Sequence, residues 1–80
     1  MIQKEENTNN KTQIYIQLLD DEQGTLRPVE AIFLGFDDYL ILPVDDFENL
    51  DEVWEFPPGS IVKIEERSYR NKKFLLAVAP

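Results

Sequence analysis

The 80-residue sequence contains no cysteine and no histidine. Without cysteine there is no disulfide framework, no thiolate nucleophile and no Cys-based zinc site. Without histidine the commonest general base and the commonest metal ligand are both missing. Basic residues are scarce, eight Lys and Arg against sixteen Asp and Glu, for a formal charge of −8. Long apolar runs are absent too. None approaches the roughly 20 residues that cross a bilayer. The N-terminus Met1-Ile2-Gln3-Lys4-Glu5-Glu6 lacks the apolar stretch of a secretory signal, so the expected setting is cytoplasmic, with no membrane contact. Serine stands only at 60 and 68, so a nucleophile–base pair has little to draw on, and a non-enzymatic protein is expected. No cofactor or metal is implied.

What is present argues for one small folded domain. The chain is 42% hydrophobic, and its nine aromatics set it apart from a disordered chain. A domain of this size buries only about 60–65% of the surface its unfolded chain exposes. Most large apolar residues are therefore needed for the core, and little is left for a deep catalytic cleft.

Period-two alternation dominates the pattern. Residues 1–12, with Asn7-Thr8-Asn9-Asn10, read as a flexible N-terminal tail; residues 13–80 read as the single domain. Ile14, Ile16 and Leu18 share one face of a first strand. A second spans Leu26 to Leu34, with Val29, Ala31 and Phe33 on one side and Pro28 at an edge, a bulge or the strand's start. Gly35-Phe36-Asp37-Asp38 has the length of a hairpin turn. Tyr39 to Leu42 forms a third strand. Asp45 or Asp46 is placed to cap a short helical turn that faces Phe47 and Leu50 inward. Glu52 to Phe56 reads as a fourth strand and Ile61 to Glu66 as a fifth. Between them Pro57-Pro58-Gly59-Ser60 fits a type II turn. Ser68 to Lys73 is a polar connection and Phe74 to Val78 a sixth strand. Short strands with turn signals every 8–12 residues and no long helical pattern predict an all-β barrel or sandwich, paired as an antiparallel meander.

Glu52-Val53-Trp54-Glu55-Phe56-Pro57-Pro58-Gly59-Ser60-Ile61-Val62-Lys63-Ile64-Glu65-Glu66 is similar to the part of SH3-type barrels that runs through a Pro/Gly turn into a strand ending in acids. Leu19-Asp20-Asp21-Glu22, Arg27-Pro28-Val29-Glu30-Ala31 and Glu52 to Val62 together resemble a small uncharacterised bacterial protein family. The likeness implies a bacterial source and a small antiparallel SH3-like barrel of five or six short strands. It implies no activity. The aromatic-rich loop that SH3 domains use for proline ligands has no counterpart around Asp20 to Thr25.

The charge is unevenly placed. Residues 13–66 hold fourteen acids against two bases, Arg27 and Lys63, a net of −12; residues 67–80 hold four bases and no acid. The acidic body reads either as a solvated surface that keeps the chain soluble or as a surface that steers a basic partner. The run Asp45 to Glu52 lacks the spacing and the turn glycine of a calcium loop. Trp54 is either core or a recognition aromatic.

The leading expectation is a protein–protein interaction module that presents an acidic surface, of the inhibitor or immunity type, to a basic protein. Arg27, Glu30, Asp51, Glu52 and Glu55 are its candidate residues, with Trp54 as aromatic anchor. The alternative is a nucleic-acid-associated module using the C-terminal hairpin residues Arg67, Tyr69, Arg70, Lys72 and Lys73. The acidic body opposes phosphate binding. Phe74 to Val78 is apolar on both faces, and a weak homodimer is one way to cover the second face.

Overall fold

The computed structural model describes residues 11–20 and 22–80. Alternation in the first segment becomes β1 (Lys11–Gln17), with Ile14 and Ile16 fully buried and Gln13 and Gln17 in solvent. The tail expected over residues 1–12 lies outside the described residues as far as residue 10, while Lys11 and Thr12 open β1. The remaining strands are β2 (Leu26–Gly35), β3 (Asp38–Ile41), β4 (Ile61–Tyr69) and β5 (Lys72–Val78). Each pairs antiparallel with the next, and β5 returns to β1 to close a five-stranded all-β barrel. In a meander with an odd number of strands the first and last run the same way, so this closure has to be parallel. It rests on a single register pair, Tyr15 with Leu76. The architecture is compatible with an SH3-like barrel.

Inward residues meet pairwise round the barrel: Ile14 opposite Val29, Ala31 opposite Ile41, Tyr39 opposite Val62, and Ile64 opposite Ala77. The small residues Ala31 and Ala77 are buried where a narrow barrel has no room for larger ones. Pro28 sits three residues into β2. Glu30 carbonyl oxygen accepts from Leu42 N–H on the β3 side. Backbone groups two residues apart point the same way, so the proline nitrogen faces that side before β3 has begun to pair. No ladder bond is lost there.

The structure corrects four expectations. Glu52 to Phe56 is not a strand. It meets the chain just past the end of β1 through one isolated bridge, Leu18 with Trp54, flanked by Leu19 N–H to Val53 O at 2.7 Å and Glu55 N–H to Gln17 O at 3.0 Å. Its role is to bring Trp54 into the core, where Phe47 meets the indole edge-on at 4.8 Å. Val44, Leu50 and Phe56 pack beside them, so the long β3–β4 connection is a plug rather than a strand. Second, the short helical turn forms as expected, one 3-10 turn over Phe47–Asn49 with Phe47 and Leu50 packed on the core, but the expected side-chain cap is missing. Asp46 lies in the left-handed region (φ 58°), not the extended conformation from which a capping side chain reaches back. Third, Phe33 shares the face of Val29 and Ala31 but lies 54% exposed, beside a bulge that shifts the register between Phe33 and Gly35. Fourth, the expected connection Ser68 to Lys73 is mostly strand, with Ser68 opposite Lys73 and Tyr69 opposite Lys72. Both faces are exposed there, so no burial pattern marks the strands. The type II turn is as expected: Ser60 N–H reaches Pro57 O at 3.1 Å and Gly59 takes φ 90°.

Candidate functional site

Of the six candidate partner-binding residues, the fold brings three together. Glu52 Oε1 accepts from Trp54 Nε1 at 3.0 Å and lies 3.4 Å from Arg27 Nε. The Arg27 guanidinium sits 5.9 Å from the centre of the indole ring. Arg27 comes from the start of β2 and the other two from the β3–β4 connection, so this group latches the plug onto the barrel. The indole itself is only 5% exposed. Trp54 is core, and a partner reaching the latch would meet Arg27 and Glu52 rather than the ring. Glu30 stands apart on the outer face of β2, 3.9 Å from Lys11 Nζ, an exposed pair worth at most about 1 kcal/mol. Asp51 and Glu55 are exposed and form no ion pair among the described residues.

Two concavities flank the β1–β2 connection. The first, a cleft of about 510 Å³, is lined by Leu18, Asp20, Glu22, Gln23, Asp51 and Glu52. Asp20 Oδ1 accepts from Val53 N–H at 3.4 Å, and Glu52 serves the latch; Glu22 and Asp51 face solvent. The exposed side chains of Leu19 and Val53 come from the two chain segments that border it. Among the described residues, no three carboxylates converge closely enough to hold a metal ion.

The second concavity, about 640 Å³, lies between the same connection and the β4–β5 hairpin. Tyr15, Leu26 and Phe74 supply its apolar walls, with the Tyr15 and Phe74 rings edge-to-face at 5.6 Å. Arg67, Lys72 and Lys73 supply its charge. Arg67 Nε donates to Glu65 Oε1 at 2.7 Å, so its charge is already balanced. Lys72 and Lys73 form no ion pair among the described residues. Arg70 lies 5.1 Å from the Tyr69 ring centre, at the hairpin tip. Tyr69 among the cations Arg67, Arg70, Lys72 and Lys73 carried a sequence signal for this groove. Its other wall, from β1 and Leu26, comes from distant sequence.

Phe36, which drew no attention in the sequence beyond its place in a turn, is 94% exposed. It stands with Asp37 at the tip of the β2–β3 hairpin, both at positive φ (53° and 67°). Lys63 Nζ holds this turn from β4, donating to Phe36 O at 2.8 Å and Asp38 Oδ1 at 2.7 Å.

Compared with known proteins, the chain matches no family model, no curated protein and no solved structure. Among the described residues, no helix is long and apolar enough to cross a membrane.

Proposed function

We propose that the protein is a non-enzymatic interaction module that binds a basic protein through the acidic cleft at the β1–β2 connection. The observation that carries this reading is the placement of Asp20, Glu22, Asp51 and Glu52 round one cleft whose border also exposes Leu19 and Val53. Carboxylates kept for solubility alone need not line one concavity. Apolar side chains beside them supply the contact area that charge alone lacks. Electrostatic attraction from the −12 body would speed the encounter, and the cleft would set its register. In the inhibitor or immunity form of this reading, the cleft covers a cationic working surface on the partner. The latch of Arg27, Glu52 and Trp54 then acts as support, and the contacting residues are Glu22, Asp51 and Glu55 with Leu19 and Val53.

A lysine- and arginine-rich peptide titrated against the isotopically labelled protein tests this. Amide shifts are expected to gather at residues 19–23 and 51–55 and to shrink as salt rises, because exposed charges are screened beyond about 8 Å at physiological ionic strength. The double reversal Glu22→Lys and Asp51→Lys should slow association about tenfold with the fold intact. Shifts scattered evenly over the surface, or an unchanged association rate, would refute the reading.

A further inference from the structure

The β2–β3 turn combines three features that folding does not require. A phenylalanine occupies a turn position where positive φ favours Asn, Asp or Gly. Its side chain is almost wholly in water, so it adds nothing to the core. And Lys63 pins the turn at two points, so the ring projects from a stiffened backbone. An exposed aromatic on a pre-ordered support has the make-up of an interface anchor, because little ordering remains to be done on binding.

We infer that Phe36 and Asp37 form a self-association element, and that their receptor is the groove of Tyr15, Leu26 and Phe74 on a second copy of this chain. The match is chemical at each point. The phenyl ring meets the edge-to-face Tyr15–Phe74 pair, an apolar lining that accepts aromatic contacts. The exposed Asp37 carboxylate comes to Lys72 and Lys73, the two groove cations without an ion pair among the described residues. A groove of about 640 Å³ is wide enough for a side chain and the turn that carries it. No residue of the turn lines the groove, so each chain offers a knob and a receptor at once. This surface is separate from the acidic cleft, and either proposal can fail without the other. An oligonucleotide is the competing occupant. The groove disfavours it because Arg67 is already paired with Glu65 and only two lysines remain to meet phosphates against a −12 body.

Sedimentation velocity of the full chain from 10 µM to 1 mM, in about 0.15 M salt so that body repulsion is screened, reads the outcome. The wild type is expected to gain mass with concentration. Phe36→Asn should remain monomeric throughout while unfolding at no lower urea concentration, since Asn suits the turn. Lys72→Glu with Lys73→Glu should also remain monomeric. An equimolar mixture of the two variants should form a 1:1 dimer, because one keeps the groove and the other keeps the knob. If the lysine variant folds poorly, Phe36→Asn alone decides. A wild type that stays monomeric at 1 mM, a Phe36→Asn protein that associates like the wild type, or a mixture of folded variants that stays monomeric would overturn the inference. So would binding of oligothymidine by a wild type that does not self-associate.

Discussion

The two tight hairpin turns share a backbone and differ in almost everything else. Phe36-Asp37 takes φ of 53° and 67°, and Arg70-Asn71 takes 54° and 68°. Positive φ at both central residues is the hairpin solution that matches strand twist. Neither turn uses glycine at these positions, though Gly35 (φ 102°) precedes the first. The first turn is acidic, carries an exposed phenyl ring and is held by Lys63; the second is basic, and Arg70 lies against the Tyr69 ring. Twist sets the geometry of such a turn. Its side chains are left open to other uses, and here they differ in charge and in what they show to solvent.

Valine substitutions would test the shared geometry with the largest effect. Asp37→Val and Asn71→Val each force a β-branched residue to positive φ and should each lower unfolding free energy by about 1–3 kcal/mol in urea denaturation. A cost at one turn alone would break the equivalence.

Lys63→Met separates the turns by their support. It removes the bond to Phe36 O and the pair with Asp38 while keeping an unbranched side chain one atom shorter. The expected cost is about 0.5–1.5 kcal/mol, since the pair is partly exposed. Amide exchange should quicken at residues 36–38 and stay unchanged at 70–71.

The smallest effect is the sharpest contrast. Phe36→Asn relieves an unfavourable turn residue without loss of packing and should stabilise by about 0.5 kcal/mol. Arg70→Asn gives the same relief but gives up the contact with Tyr69, worth about 0.5 kcal/mol at an exposed site. Its net change should be close to zero. Equal shifts in thermal midpoint for the two variants would show that the aromatic contact contributes nothing.

Much of the barrel was readable because burial in strands leaves a period of two. Ile14, Ile16, Val29, Ala31 and Val62 alternate with outward residues and are all buried. The Pro57 to Ser60 turn was readable because proline and glycine restrict the backbone locally. Glu52 to Phe56 misled because Trp54 and Phe56 also alternate. There the apolar side chains fill a plug, and alternation by itself does not reveal whether a neighbouring strand exists. Ser68 to Lys73 misled for the opposite reason: strands exposed on both faces carry no apolar period. Of the candidate site, the acidic character of residues 20–22 and 51–52 was plain, but their meeting at one cleft was not. They lie about thirty residues apart and come together only because Leu18 bridges Trp54.

Composition alone settled the absence of cysteine and histidine chemistry and the acidic body with its basic C-terminal stretch. Alternation settled the all-β character and most inward-facing residues. These are local properties, carried by residue type and near neighbours. Tertiary structure decided which segment closes the barrel, that Trp54 is core and Phe36 is in water, and that two concavities of opposite charge flank one connection. Each depends on contacts between distant segments. The sign of a charge is written in the residue, but what it faces is set by how the strands pair.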